Sequence, residues 1–225
     1  MTSVQLSRRQ LLIVSIATAG AWLISRKVDA ESCLLTPRQA EGPYYPTAAQ
    51  IASQLDRDND LTRINGRTGR AKGQVLYIIG QVRDPECRPI SGATVEIWQA
   101  SVDGRYNHPR DRHNPSPLDP NFQSWGRQIT EQDGRYLFKT VIPGQYPAGP
   151  DWIRPSHVHF KVQKPGFQEL ITQMYFEGDP YLEKDQIFNA IPPAERERVV
   201  VKLEPPGQKL EPGSQACRFD LTLRA

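Results

Sequence analysis

The sequence predicts an all-β sandwich with long loops and short helical turns. Three observations carry that expectation. Proline and glycine number 20 and 16 in 225 residues, with an ordinary 38% hydrophobic content, which favours strands and loops over a helical bundle. The apolar runs are short and each is bounded by Gly, Pro or Asp. Helical periodicity is scarce: only Glu183–Ala190 and Pro193–Arg198 suit a turn or two. A chain of this length holds one domain or a tight pair, with enough residues for a real core.

Residues 1–30 stand apart from that domain. Ser7-Arg8-Arg9-Gln10-Leu11-Leu12 opens an apolar run to about Ile24, followed by Arg26 and Lys27. A paired arginine before a modest apolar segment reads as a twin-arginine export signal. The run is shorter than the ~20 residues a bilayer span needs. Cleavage after Ala30 is therefore expected, which places the protein in the periplasm or outside the cell. Retention as an uncleaved membrane anchor is the alternative. The segment takes four of the 28 basic and one of the 25 acidic residues, leaving 24 of each. The basic balance thus belongs to the leader, and no basic patch argues for nucleic acid. In an oxidising compartment Cys33, Cys87 and Cys217 allow one disulfide and one thiol. Three pairings are open, and a bridge from Cys33 would tie down the start of the exported chain.

Residues 31–72 have little periodicity and read as an N-terminal arm that wraps the domain or reaches a neighbouring subunit, so a homo-oligomer is compatible with the chain. Thr36 to Pro46 is turn and extended chemistry, and Asp56 to Arg70 is polar and glycine-punctuated. The sandwich is expected over residues 73–225. Val75–Val82 is a continuous apolar run, read as a buried strand. Asp84 to Pro89 turns, and Thr94–Gln99 alternates, with Val95 and Ile97 opposite Trp98. Tyr136–Val141, the strand around His157, Leu170–Phe176, Arg198–Leu203 and Cys217–Leu223 complete the set. Asp-Gly-Arg-Tyr occurs at 103–106 and 133–136, a turn-into-strand device used twice.

The chemistry begins at Trp152-Ile153-Arg154-Pro155-Ser156-His157-Val158-His159-Phe160-Lys161-Val162. Val158, Phe160 and Val162 fall on one face of the strand; His157 and His159 fall side by side on the other. Two adjacent imidazoles form a natural half of a metal site. A strand with two solvated histidines is the bland alternative. His108 and His113 are the remaining histidines, in a polar loop. No histidine follows His159, which weighs against a cupin-type ligand set. Tyrosines are the other donor class. A phenol ligates as phenolate, so it needs a highly charged metal.

A resemblance selects among the eight tyrosines. Gly92–Ala100, Asp103–His108, Leu118–Phe122, Pro143–Pro147, Arg154–Phe160 and Leu170–Pro180 resemble, in order, the intradiol ring-cleavage dioxygenases. Within that family they are most similar to the iron-bearing subunit of protocatechuate 3,4-dioxygenase. The resemblance runs from about Thr36 to the Arg218–Leu221 strand. It implies an intradiol-dioxygenase-like β-sandwich with a non-haem Fe(III) held by Tyr106, Tyr146, His157 and His159. It implies Tyr146 as the ligand released when a catechol binds, Arg154 as the cation facing negative charge on the ring, and Gln173 in the same pocket. The substrates implied are a small aromatic diol and O2, with both oxygen atoms entering a cis,cis-muconate-type diacid. Three departures bear on the pocket: a short loop from Tyr146 to His157, Ala148 where an aromatic often follows the Tyr-Pro pair, and Ile153 between Trp152 and Arg154. The rivals are a non-enzymatic metal- or catechol-binding module and a cupin-like or copper enzyme.

Overall fold

The computed structural model describes residues 32–53 and 56–225; the expected export signal over residues 1–30 lies outside them. Among the described residues the regular elements are mostly strands, with few helices. In chain order they are α1 (Ala48–Ser53), β1 (Val75–Arg83), β2 (Thr94–Trp98), β3 (Trp125–Ile129), β4 (Arg135–Val141), β5 (Tyr146–Gly149), β6 (Trp152–Arg154), β7 (His157–Gln163), β8 (Leu170–Phe176), α2 (Gln186–Asn189), β9 (Val200–Val201), β10 (Gln215–Arg218) and β11 (Leu221–Thr222). Single 3-10 segments occupy Pro109–Asp111, Leu182–Lys184 and Pro193–Val199.

Two sheets enclose one core. In the first, β1 pairs antiparallel with β4 on one side and parallel with β10 and β11 on the other. The second runs β3-β2-β7-β8-β9, antiparallel except for its last pair. Period-2 alternation explains the division of side chains. Leu76, Ile78 and Val82 of β1 and Tyr136 and Phe138 of β4 meet Val95 and Ile97 of β2, Val158, Phe160 and Val162 of β7 and Met174 of β8 in one buried cluster. Each such side chain contributes about 1.5–3 kcal/mol by leaving water. The opposite face of the second sheet carries Trp98, His157, His159, Gln173 and Tyr175, because the apolar positions claim the core.

Several expectations change. The Val75–Val82 run is not buried on both faces: Ile79 is 38% exposed, since only alternate residues face the second sheet. The expected Arg198–Leu203 strand shrinks to two residues because Pro193–Val199 winds as 3-10. Cys217–Leu223 is split at Asp220, whose carboxylate accepts the Gln81 N–H at 3.1 Å in place of a ladder carbonyl. The two Asp-Gly-Arg-Tyr segments do reuse one turn: Gly104 and Gly134 have φ of 73° and 74°, and each bonds back to the residue three before it, Ser101 or Glu131. Tyr136 then enters β4, whereas Tyr106 enters a loop.

The arm wraps its own domain. Thr36 N–H reaches Thr222 O at 3.2 Å, Gln39 N–H reaches Ile171 O at 2.8 Å, and Leu61 N–H reaches Lys139 O at 2.7 Å. A Cys33–Cys87 disulfide fastens its start, and Cys217 is the buried free thiol.

Candidate active site

The site lies on the face of the second sheet turned away from the core. Register places Trp98 beside His159 and His159 beside Gln173. His157 lies beside Tyr175. The His157 and His159 rings are 4.9 Å apart and both are buried. Two loops bring the tyrosines above them. The Ser101 carbonyl accepts both Gly104 N–H (3.0 Å) and Gly144 N–H (2.9 Å), so the loops preceding Tyr106 and Tyr146 touch backbone to backbone. A Cβ on Gly104 would stand 2.2 Å from Gln145 O, and one on Gly144 would stand 2.2 Å from Val102 O. Only glycine permits that approach. The Asp111 carboxylate then holds Tyr106 by its backbone N–H at 2.7 Å.

The result is a closed group of four donors. The Tyr106 and Tyr146 rings meet edge to face at 5.4 Å. Tyr106 Oη is 3.3 Å from His157 Nε2. His157 Nδ1–H donates to Pro155 O at 2.6 Å, which leaves the Nε2 lone pair facing the tyrosines. His159 is stacked on Trp98 at 4.7 Å and 10°, and its buried Nδ1 has no partner among the described residues. Burial, reinforced by the Arg154 charge, drives both imidazoles well below the usual histidine range, so both are neutral. Burial also pushes the Tyr106 phenol well up and the Tyr146 phenol up to about 12, against the opposing pull of Arg154.

Arg154 is directly across the β5–β6 hairpin from Tyr146, which puts the two side chains on one face. Its Nη2 donates to Gln173 Oε1 at 2.6 Å and its Nε to Asp185 Oδ1 at 2.9 Å. Asp151, the carboxylate nearest to Arg154 in sequence, forms no ion pair with it. All six expected residues (Tyr106, Tyr146, Arg154, His157, His159 and Gln173) are thus brought together. His108 and His113 are not: their ring nitrogens accept from Arg110 N–H and Arg112 Nε.

Sequence reasoning missed several neighbours. Gly42 passes against the His159 ring with φ of 76°. Tyr44 stacks on Tyr106 at 4.4 Å. Gln39 accepts from Tyr175 Oη at 2.8 Å and donates to Gln173 O at 3.0 Å. The alternation of β8 would have put Tyr175 on the face of Gln173; nothing local marks Asp185 or Gln39.

The donor chemistry suits a hard, highly charged metal. Beside the paired histidines the further donors are the two phenols: Tyr106 Oη reaches His157 Nε2, and the Tyr106 and Tyr146 rings meet edge to face. Two phenolates and two imidazoles form an anionic set that fits a trivalent ion.

Residues 40–225 match the family model described as Dioxygenase. Over 170 residues the chain is 41% identical to the protocatechuate 3,4-dioxygenase beta chain of Burkholderia cepacia, covering 74% of this chain and 72% of that protein. The chain belongs to the intradiol dioxygenase family. A second relative, catechol 1,2-dioxygenase 2 of Acinetobacter lwoffii, is 33% identical over 183 residues, and the match spans 62% of its length. Among solved structures, the dioxygenase domain of a dioxygenase–carbohydrate-binding protein fusion from Streptomyces sp. SirexAA-E is 28% identical. It has a TM-score of 0.61, with 85% of this chain and 99% of that chain covered. Catechol 1,2-dioxygenase from Acinetobacter sp. ADP1 is 26% identical with a TM-score of 0.62, covering 86% of this chain and 63% of that one.

Within this family member, the short loop noted in the sequence is the β5–β6 hairpin. Ala148 sits exposed at its register shift, between Pro147 and Gly149. Ile153 is 38% exposed, so the residue inserted before Arg154 points away from the donors.

Proposed function

We propose that this intradiol dioxygenase cleaves a catechol-type ring between its two hydroxylated carbons, using O2 and a non-haem Fe(III). The observation that carries the reading is the convergence of two buried tyrosines, two neutral histidines and one buried arginine on a single sheet face. Tyr106 Oη, Tyr146 Oη and a ring nitrogen of each histidine would hold the metal. Bound there, Fe(III) supplies Lewis acidity toward the diol oxygens and a template for the reacting ring.

The chain's own groups do the rest. The Nδ1–H bond to Pro155 fixes the His157 tautomer and aims Nε2 at the tyrosines. Stacking on Trp98 holds the plane of His159. Tyr146, whose phenol keeps its proton up to about 12 when no metal competes, would as a phenolate be the base suited to take a proton from a substrate hydroxyl at its Oη. Arg154 supplies a fixed cationic fork to the negative charge that develops on the ring and its oxygens. Gln173 orients that fork. The arm residues Gly42 and Tyr44 cover the donors and keep bulk water off them.

A twin-arginine signal over residues 1–30, removed or retained as an anchor, would deliver a folded chain to an oxidising compartment. The Cys33–Cys87 disulfide supports that destination. A panel of catechols tests the function: the iron-loaded chain should consume one O2 per ring cleaved and form a muconate-type diacid. A coloured, iron-replete protein that consumes no O2 with any diol would reject it.

A further inference from the structure

Asp185 is buried without any exposed surface, and Arg154 beside it is 4% exposed. A carboxylate in such a place must be paired and hydrogen-bonded, or it would be strongly destabilising. Its oxygens are occupied from three directions. Oδ1 accepts from Arg154 Nε at 2.9 Å and from the Trp152 indole N–H at 3.0 Å. Oδ2 accepts from the Phe188 N–H at 3.0 Å, the first turn of α2. The Asp185 N–H itself donates to Leu182 O at 3.1 Å. The carboxylate is therefore locked by the segment 182–188 before it meets the arginine.

Resting on the proposed reaction, we infer that Asp185 is the positioning residue that aims the Arg154 guanidinium at the substrate. The guanidinium is a rigid plane, and two fixed points on it set its orientation. Asp185 fixes Nε and Gln173 fixes Nη2. With those two sites taken, the unused N–H groups are directed by the anchors rather than by rotamer preference. The Trp152 ring, 5.7 Å from the guanidinium carbon, shares the same carboxylate oxygen and closes the side of the plane. Asp185 does not touch the four donors; it acts through Arg154.

A double-mutant cycle on the iron-loaded full chain tests this. Asp185→Asn keeps the size but removes the charge and sets an amide NH2 against either the guanidinium or the Phe188 N–H. Misplacing a charge-stabilising group by about an ångström costs on the order of 10²-fold. The expected result is a kcat loss of that size with the iron–tyrosine colour unchanged. In an Arg154→Gln background the same substitution should change kcat by no more than about twofold, the limit of error for such cycles. Equal losses in both backgrounds, or no loss in the first, overturn the inference. A wild-type chain that is colourless or inactive instead refutes the proposed reaction, which keeps the two failures apart. Should Asp185→Asn not fold, or the wild type lack activity, the Arg154 Nε–H resonance of the iron-free wild type decides. A signal assigned by its loss in Arg154→Lys and slow to exchange with water supports the pairing; rapid exchange overturns it.

Discussion

Replacing Tyr106 and Tyr136 by phenylalanine removes the same atom from the same tetrapeptide, with opposite consequences. Tyr136 is 2% exposed inside the core and its hydroxyl donates to the buried Phe219 carbonyl. Tyr136→Phe leaves that acceptor without a donor, which costs about 1–3 kcal/mol, or roughly 2–4 °C of melting temperature per kcal/mol for a domain of this size. Its ring remains in place, so the site on the other side of the second sheet is untouched. Tyr106→Phe keeps the stacking on Tyr44 and the edge contact with Tyr146 but deletes one of the four proposed metal donors. The loss in stability should be small, and the iron colour and ring cleavage should both disappear. Purified variants would be compared by iron content, visible absorption, oxygen uptake and thermal melting. A coloured, active Tyr106→Phe would refute the ligand assignment. A Tyr136→Phe chain that melts normally yet loses iron would refute the separation of core and site.

Other expectations follow from the same contacts. Cys33→Ser opens a bridge spanning 54 residues and should cost about 4 kcal/mol on the chain-entropy account, seen as an earlier denaturant midpoint with the iron colour retained. Gly104→Ala drives a Cβ to within 2.2 Å of Gln145 O and should separate Tyr106 from Tyr146 and abolish iron binding. Gly166→Ala, equally left-handed at φ of 87° but with nothing within 4 Å, should cost only about 1–2 kcal/mol and keep the colour. Tyr45→Phe removes the 2.6 Å bond to the buried Glu96 carboxylate, worth about 1.5–3 kcal/mol for a charged acceptor. Limited proteolysis should then cut the arm sooner.

Much of this was legible in the chain because strand alternation is local. Val158, Phe160 and Val162 claim one face, so His157 and His159 must share the other. The six ordered motifs placed Tyr106, Tyr146, Arg154 and Gln173 around them. What was not legible depends on tertiary neighbours. Trp125–Ile129 contains Gly126 and Arg127 and reads weakly as strand, yet it pairs because β2 offers an open edge. The pairing of Cys33 with Cys87 depends on where the arm docks. Asp185 is 31 residues from Arg154 and sits between two short helical turns, so no spacing rule links them. Tyr44, in a segment that reads as turn chemistry, becomes a ring over the site only once the arm folds back on its own sheet.

Titration of Fe(III) into the iron-free chain at neutral pH tests the central claim most directly. With phenols that would otherwise keep their protons (Tyr146 up to about 12), binding at the four donors should release protons. A tyrosinate-to-iron absorption should grow, saturate at one iron per chain and shift when catechol is added. A chain that binds no Fe(III), or binds it without any visible band, would contradict the site.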